Sequence, residues 1–358
     1  LLLITLGVFH NVPEAYALPS QGTLINANAA DIAVVDKQMN ITGKGLNNII
    51  NWASFNIAKG ETVKFNDKNN YLNLVHGVDM SRIYGTISGG NMVYLVNPNG
   101  ILFAEGTRLD NVGSFLASTR NISSINKEAF LNDPANANAV LGADNKIMDN
   151  KDYYPEDSSY VPKISVADIQ LTNVPESATK IILDGPGGVI LKNTEILDKT
   201  AQILTRKGDG EIGIGSDTGE VVLTDTQKQK ISLIDGASIF KYDDSSNVIQ
   251  GYQAIKNMEE FRHQETHKNY LLNNTIDAKE IDDYTPIYGV CTFDGLGYEI
   301  QNLKIKNKYL NDGYMGLWGS FYGELRNLGV TNIDYATDTN KVFGEGAYVG
   351  GIIGRLHI

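Results

Sequence analysis

A nine-residue segment near the C-terminal end of the chain occurs twice, at a spacing of 25 residues. Residues 299–307 read EIQNLKIKN and residues 324–332 read ELRNLGVTN, with four positions identical. Apolar side chains at nearly alternate positions indicate a strand with one buried face. A strand that recurs at such a period is typical of a solenoid, in which each coil stacks on its neighbours. The repeat therefore predicts a parallel β-helix.

Stacked coils bring equivalent side chains next to one another. Neighbouring strands lie about 4.8 Å apart, so a period of 25 residues places Asn302 beside Asn327 and Asn307 beside Asn332. Side-chain amides at that spacing can hydrogen-bond along the stack. We therefore predict an asparagine ladder in this part of the chain.

The rest of the chain divides into regions that differ in the pattern of apolar and polar residues. Residues 18–120 and 176–240 are dense in short apolar runs punctuated by Gly and Asn, which indicates short strands joined by tight turns. Residues 121–175 are polar and charged. This composition predicts an insertion, or long surface excursion, between strands, with at most one short helix around residues 127–131. The abundance of Gly (36) over Pro (9) in 358 residues also favours an all-β solenoid.

One turn between two apolar runs is strongly specified by its residues. It consists of Asn97, Pro98, Asn99, Gly100 and Ile101. The runs on either side are rich in β-branched and aromatic residues, so each is predicted to be a buried strand. Proline fixes φ near −65°, glycine accepts positive φ, and the two asparagine amides can bond the turn's own backbone. The segment therefore predicts a rigid β-turn at the corner of an early coil.

Charge and cysteine content exclude some classes of protein. The net charge is −12, from 30 basic and 42 acidic residues, and no Lys/Arg-rich run is present. A nucleic-acid partner is excluded because phosphate binding needs a basic stripe, and the same balance argues against binding to anionic membranes. Cys291 is the single cysteine, so the chain cannot close an intrachain disulfide.

The N-terminal residues resemble a targeting segment. Residues 1–9 form an apolar run too short to span a bilayer, and the polar stretch after it ends in Ala15-Tyr16-Ala17, an A-x-A cleavage pattern. We predict that residues 1–17 are the remnant of a secretory signal peptide cleaved after Ala17. An exported chain with one cysteine must then gain its stability from stacked repeats rather than from cross-links.

Three motifs could carry chemistry, but each is better explained by structure. Residues 208–213, GDGEIG, fit G-x-G-x-x-G, yet strands and not a helix follow them. Residues 263–267, HQETH, lack the spacing of a known zinc motif and a third ligand. The pairs at 243–244 and 282–283 are adjacent aspartates, which on a strand would point to opposite faces. We predict no catalytic, cofactor-binding or metal site.

A known family shares the core of this sequence. Residues 50–65 (INWASFNIAKGETVKF), 72–77 (LNLVHG) and 81–119 resemble, in order, the N-terminal secretion domain of two-partner secretion exoproteins, the filamentous haemagglutinin family. The match includes that family's Asn-Pro-Asn-Gly-Ile signature at residues 97–101. Many members carry a second motif, Asn-Pro-Asn-Leu, which is absent here; the nearest polar turn is residues 66–69.

The resemblance implies a right-handed parallel β-helix with an N-terminal cap and extra-helical insertions. It also implies export by the Sec route and passage, unfolded, through an outer-membrane barrel of the Omp85 type. The POTRA domains of that transporter would recognise the secretion domain. The passenger in this family is commonly an adhesin, whose partner would be a host-cell surface receptor or a glycan.

These expectations divide the chain into three parts. Residues 1–17 are the signal remnant, residues 18–240 the secretion domain, and residues 250–358, which resemble the GLUG repeat of large bacterial surface proteins, the start of an incomplete repeat region. The chain is expected to continue beyond residue 358. We predict a secreted or surface-exposed exoprotein of a diderm bacterium, without a cofactor. Two alternatives remain: a secreted β-helical carbohydrate-active enzyme, and a toxin whose active domain follows residue 358.

Overall fold

Parallel β-structure dominates the molecule. The computed structural model describes residues 17–20, 22–24, 31–142, 162–176, 178–206, 211–235, 238–241, 249–282, 284–306, 314–336 and 348–357. Within these ranges, neighbouring strands of the sheets are parallel except in three pairs at sheet edges. The predicted all-β parallel β-helix is therefore confirmed. None of the helices in these ranges is long and apolar enough to cross a membrane.

The first solenoid comprises residues 17–241. Its strands are β1 (Thr23–Leu24), β2 (Asp31–Val35), β3 (Gln38–Thr42), β4 (Asn47–Trp52), β5 (Thr62–Phe65), β6 (Asn70–Val75), β7 (Ser81–Ile83), β8 (Thr86–Gly89), β9 (Met92–Val96), β10 (Ile101–Phe103), β11 (Arg108–Asp110), β12 (Ser114–Ser118), β13 (Ile164–Val166), β14 (Gln170–Thr172), β15 (Lys180–Asp184), β16 (Gly188–Leu191), β17 (Ala201–Arg206), β18 (Glu211–Ser216), β19 (Ile231–Asp235) and β20 (Ser238–Lys241). Each coil contributes strands to different sheets, so every strand stacks on the equivalent strand of the next coil.

Three sheets enclose the core of the first solenoid. The nine-stranded sheet has the order β1-β4-β6-β9-β12-β15-β17-β19-β20, and the six-stranded sheet has the order β14-β11-β8-β5-β3-β2. The third begins β7-β10-β13-β16-β18 and continues into the second solenoid. Phe115 shows the register, because it pairs with Val93 in the preceding coil and with Ile181 in the following one. All three side chains are buried in one continuous core.

The second solenoid comprises residues 249–357. Its strands are β21 (Ile249–Ile255), β22 (Lys268–Leu272), β23 (Ile276–Asp277), β24 (Ile287–Asp294), β25 (Glu299–Gln301), β26 (Lys304–Lys306), β27 (Tyr314–Met315), β28 (Trp318–Arg326), β29 (Gly329–Thr331), β30 (Asp334–Ala336), β31 (Tyr348–Val349) and β32 (Ile353–His357). Strands β21, β22, β24, β28 and β32 complete a ten-stranded sheet. The remaining strands form three short sheets, β23-β25-β29, β26-β30 and β27-β31, around a second core.

Antiparallel pairs close the N-terminal edges of the first solenoid. β1 pairs antiparallel with β4 at the start of the nine-stranded sheet, and β2 pairs antiparallel with β3 at the end of the six-stranded sheet. Open sheet edges offer unpaired backbone groups to other chains, and short antiparallel strands at the edges reduce that hazard. These residues form the predicted N-terminal cap.

The ten-stranded sheet folds back on itself. β13 and β24 are separated in it by four strands, so a flat sheet would hold them roughly 24 Å apart. Ser165 in β13 nevertheless donates its hydroxyl to the carboxylate of Asp294 in β24 at 2.8 Å. The sheet must therefore bend between them, and the outer face of the first solenoid packs against the outer face of the second.

The insertion that follows β12 covers the nine-stranded sheet. It contains a 3₁₀ turn (Ile122–Ser124), α1 (Lys127–Asn132) and α2 (Ala137–Val140), with Asn126 and Asn136 capping the two helices. The sequence predicted one short helix, and α1 agrees with it; α2 was missed because a single turn leaves little periodicity to detect. The predicted insertion, residues 121–175, also ends too late, since β13 and β14 are coil strands.

Burial on both faces explains the long apolar runs in the nine-stranded sheet. Its inner face lines the first core, while Leu72, Tyr94 and Leu116 on its outer face pack against Phe130 and Val140 of the insertion. Sheets covered on both sides lose the alternation of polar and apolar residues. All six residues of β6 are accordingly buried. Elsewhere in the described part of the chain, the short helices α3 (Glu195–Asp198), α4 (Asp225–Lys228) and α5 (Met258–Arg262) lie between strands.

Candidate functional site

The Asn-Pro-Asn-Gly turn has the predicted local geometry. It joins β9 to β10, and the Gly100 N–H donates to the Asn97 carbonyl at 3.1 Å, which closes a four-residue turn. The Asn97 side-chain oxygen accepts the Asn99 N–H at 2.9 Å. Gly100 has φ of 109°, a conformation that L-residues avoid, so glycine is required here.

The two side-chain NH2 groups of the turn also bond the preceding coil, although the Asn99 amide additionally donates to the Asn97 side-chain oxygen at 3.3 Å. The Asn97 amide donates to the Asp79 carbonyl at 3.0 Å and to the Ser81 hydroxyl at 2.9 Å. The Asn99 amide donates to the Gly77 carbonyl at 2.7 Å. The sequence predicted bonds within the turn, and the structure adds these bonds to the preceding coil. These side chains fasten one coil to the coil before it.

The turn is enclosed within the folded solenoid. Asn97, Pro98 and Gly100 are buried, and Asn99 is half-buried. Both amide hydrogens and the side-chain oxygen of Asn97 already have partners in neighbouring residues. A partner protein could bond the Asn97 side chain only while this part of the chain is unfolded.

The asparagine ladder exists, but in a different register from the predicted one. The Asn332 amide donates to the Asn302 side-chain oxygen at 3.1 Å, and the Asn302 amide donates to Asp277 at 2.9 Å. The prediction that Asn302 lies beside Asn327 is wrong, because β25 and β29 stack at a spacing of 30 residues. Asn307 lies outside the described residues.

The 25-residue spacing relates two successive corners of the chain and not equivalent positions in two stacked coils. Asn302 separates β25 from β26, whereas Asn327 separates β28 from β29, and both adopt left-handed backbone conformations, with φ of 59° and 53°. Asn332 has the same conformation. Asparagine tolerates positive φ better than most residues, so an Asn-Leu or Asn-Ile pair recurs at more than one corner of a coil.

The asparagine ladder affects the pKa of Asp277, and this effect can be tested. The Asn302 amide, and to a lesser extent Lys279, lowers the pKa of Asp277 below its usual value. We expect Asn302→Ala to raise the pKa of Asp277 towards that value, as measured by NMR titration of the carboxyl resonance. A lowered folded-state pKa favours folding above the unfolded pKa, and that contribution disappears as pH falls through the folded pKa. Asn332→Ala is the matched control, and an equal shift there would contradict the assignment.

Charged and polar side chains meet where the two solenoids pack against each other. This fold-back cluster consists of Lys163, Ser165, Glu211, Asp294, Glu324 and Arg326. Lys163 contacts Glu211 at 2.8 Å and Glu324 at 3.1 Å, and so links the first solenoid to the second. Asp294 is fully buried, and Arg326 is 8% exposed.

Arg326 is held by electrostatics in this cluster. Its Nε lies 3.1 Å from Asp294 Oδ2, yet the N–H makes no hydrogen bond, so the contact is purely ionic. Burial alone would lower the pKa of Arg326, but the neighbouring groups, with Asp294 foremost, raise it above its usual value. Burial, followed by the charge of Glu211, likewise raises the pKa of Tyr252, which donates its hydroxyl to Glu211. The cluster therefore keeps Arg326 charged and Tyr252 neutral.

Glycines at the bend let the two faces approach. A Cβ atom at Gly213 would lie 2.4 Å from the Tyr252 ring and 2.7 Å from Ile190, and one at Gly215 would lie 2.7 Å from Leu271. Gly213 ends the G-x-G-x-x-G motif, whose earlier glycines lie outside the described residues. It belongs to strand β18, as the sequence indicated, so the motif contributes close packing to the solenoid.

A second buried ion pair fixes the insertion to the solenoid. Arg120 contacts Asp184 through two nitrogens, at 2.7 and 3.0 Å, and donates a third bond to the Leu141 carbonyl in the insertion. Ser118 also donates to Asp184, at 2.6 Å. Asp184 is completely buried, and Arg120 is 6% exposed.

Comparison with known proteins identifies the family. The sequence model of the TPS secretion domain family matches residues 15–251, about two thirds of the chain. The chain belongs to the TPS secretion domain family. Members of this two-partner secretion family are exoproteins secreted by Gram-negative bacteria.

Individual relatives match shorter stretches. A heme/hemopexin-binding protein of Haemophilus influenzae (strain ATCC 51907 / DSM 11121 / KW20 / Rd) is 30% identical over 130 residues, which are 36% of this chain and 14% of that protein. A second heme/hemopexin-binding protein of Haemophilus influenzae is 35% identical over 83 residues, 22% of this chain and 9% of its own length. The chain thus spans a small part of these relatives.

A solved secretion domain is also similar. The crystal structure of the HMW1 secretion domain from Haemophilus influenzae matches 87% of this chain and 73% of its own, with a TM-score of 0.34 and 16% identity.

Other sequence candidates lie apart from the turn of this TPS secretion domain. Asp282 pairs at the surface with Lys304 at 3.2 Å, while Asp283, Asp243 and Asp244 lie outside the described residues. Cys291 is buried in β24, and burial raises the pKa of its thiol to about 12. A thiol with that pKa is protonated at neutral pH and is a poor nucleophile.

Sequence reasoning missed the two buried ionic clusters of this TPS secretion domain and its continuation. Arg120 and Asp184 are 64 residues apart, and Lys163 and Glu324 are 161 apart. No local motif links residues at such separations. The available signal was a charged residue at the end of an apolar strand, as at Asp184, Asp294 and Arg326, where a solvated turn would otherwise be expected.

Proposed function

We propose that residues 18–240 direct export of a larger exoprotein through an outer-membrane transporter of the Omp85 type. Its periplasmic POTRA domains would bind the chain before it folds. The enclosure of the Asn-Pro-Asn-Gly turn supports this order of events, since the Asn97 side chain has no free hydrogen-bonding atoms in the folded solenoid. A signal peptide cleaved after Ala17 would bring the chain to the periplasm.

The turn would act on folding once the chain emerges. Solenoids fold by adding coils to coils already formed, and Asn97 and Asn99 bond the coil that emerges just before their own. Release of folding free energy outside the cell favours outward movement. We therefore propose that residues 97–101 form a corner on which later coils stack.

The passenger would be an adhesin that binds a host-cell surface receptor or a glycan. Residues 250–358 would begin its repeat region, of the GLUG type, and present stacked coils at the cell surface. We propose no catalytic activity for these residues. The surface pairing of Asp282 with Lys304 supports a solvated turn over a catalytic site.

Export can be tested with variants inside and outside the turn. Asn97→Ala removes side-chain hydrogen bonds to Asp79, Ser81 and Asn99, at a cost of about 1 kcal/mol each. Co-expressed with the cognate transporter, it should be secreted less than its loss of stability alone accounts for. Thr107→Val is the control outside the turn, because it removes the buried hydroxyl whose single proton is shared between the Ile83 and Ala104 carbonyls; urea unfolding of both variants puts their secretion on a common scale of stability. Secreted and periplasmic protein would be compared by immunoblot.

The outcomes separate the proposals. Secretion of the unaltered chain without any transporter would contradict the export route. Equal secretion of Asn97→Ala and Thr107→Val, relative to their stability, would show that the turn contributes only stability.

A further inference from the structure

A buried carboxylate faces the first described residues of the chain without a cationic partner. Glu61 is 2% exposed, and it precedes β5 in a turn closed by its own N–H and the Ala58 carbonyl. Its Oε2 accepts the Ala58 N–H at 2.8 Å, and both carboxylate oxygens accept the Ala17 N–H, each at 3.1 Å. Among the residues that the structure describes, no Lys, Arg or His nitrogen forms an ion pair with it.

Such an arrangement is unusual for a buried acid. Charged groups removed from water are normally paired with an opposite charge, because backbone N–H groups solvate a carboxylate without neutralising it. The other buried carboxylates in the described part of the chain follow the rule: Asp184 pairs with Arg120, and Asp294 with Arg326. The buried Glu61 carboxylate could therefore accept one cation as an ion-pair partner.

The chain segment above Glu61 is held in place by its neighbours. Leu18 packs against the first core, and Ser20 pairs with Ser54 through backbone and side-chain bonds. These contacts position residues 17 and 18 over the carboxylate, whatever precedes them. A cation created at this point of the chain would lie beside Glu61.

We propose that Glu61 is the binding site for the α-ammonium group of the processed chain. The inference rests on the proposed signal cleavage after Ala17, which would convert the Leu18 N–H into an ammonium group. The nitrogen atoms of residues 17 and 18 are separated by less than one residue step of about 3.8 Å, so a small shift of a freed terminus brings the charge to the carboxylate. Processing would thereby complete the N-terminal cap with an ion pair that the unprocessed chain cannot form.

The experiment compares four proteins that differ in the N-terminal amine and in residue 61. Residues 18–358 are prepared with a free Leu18 amine and with an acetylated one, each with Glu61 and with Glu61→Gln. Glu61→Gln should lower the Tm by about 2–4 °C in the free-amine chain and by clearly less in the acetylated chain. Glu220→Gln, at an exposed position, should change neither. Equal Tm losses in both backgrounds would overturn the proposal.

A second readout keeps the test valid if Glu61→Gln does not fold. An α-amine paired with a carboxylate has a raised pKa, so a limiting acylating reagent should modify Leu18 about tenfold more slowly in the folded chain than in urea. Equal rates would overturn the proposal. Intact mass of the exported protein tests cleavage separately: a retained leader contradicts the proposed processing, while the four-chain comparison still decides whether Glu61 binds an α-ammonium group.

Discussion

Arg120→Met is expected to lower the free energy of unfolding of the first solenoid by roughly 3–5 kcal/mol. The substitution keeps an unbranched apolar side chain but removes the guanidinium, so that among the described side chains the fully buried Asp184 carboxylate keeps only the hydrogen bond from Ser118. A buried charge that loses its partner retains the whole cost of its desolvation. Because Arg120 also binds the Leu141 carbonyl, the insertion should loosen from the nine-stranded sheet.

Two measurements check this result. Urea unfolding reports the stability, and limited proteolysis within residues 127–142 reports release of the insertion. The matched control is Lys199→Met, which breaks a partly exposed pair with Glu176 and should cost less than about 1 kcal/mol. The double variant Arg120→Met with Asp184→Leu should recover part of the loss, since no charge is then left buried. A cost for Arg120→Met as small as that of Lys199→Met would show that the ion pair does not hold the insertion.

Arg326→Met is expected to open the joint between the two solenoids. It removes the cation that contacts Asp294 and Glu324, and leaves Asp294 buried without an ion-pair partner. The cost of roughly 3–5 kcal/mol can be avoided if the sheet straightens and Asp294 becomes hydrated. Small-angle scattering should then show a maximum dimension larger by about 20–30 Å, since several strand steps of 4.8 Å would unfold from the bend.

An independent variant tests the same joint without changing its charges. Gly213→Val would place side-chain atoms against the Tyr252 ring and Ile190, and it should lengthen the particle as Arg326→Met does. Lys256→Met removes an exposed pair with Asp217 in the same part of the chain and should change neither the dimension nor the Tm. Variants that lose stability while the particle keeps its length would show that the fold-back survives loss of the cluster.

The architecture could be predicted because its determinants are local. Short β-branched runs specify strands, and Gly, Asn and Pro specify the corners between them, as at residues 92–103. The turn at Asn97 to Gly100 was predicted correctly in its backbone geometry, since φ near 109° at Gly100 and the Asx bond at Asn97 depend on neighbouring residues. The family resemblance rests on the same local motifs.

The register of stacking could not be predicted from the repeat. Sequence similarity aligned residues 299–307 with 324–332, but the strands stack at 30 residues because each coil contains more than one Asn corner. Asn302 is therefore bonded to Asn332 and not to Asn327. An asparagine suits any corner of a coil that needs a positive φ, so similar sequences recur at different corners. The number of residues in one full coil then decides which corners stack on each other.

The sequence by itself determined that this chain forms strands, corners and a stacked β-helix, and that one insertion interrupts it. Only the tertiary structure decided that the ten-stranded sheet bends, that Lys163 meets Glu324, that Arg120 meets Asp184, and that Glu61 accepts the Ala17 N–H. The physical reason is the distance along the chain over which each kind of interaction acts. Backbone preferences act between adjacent residues, whereas pairing of buried charges depends on which surfaces a completed solenoid brings together.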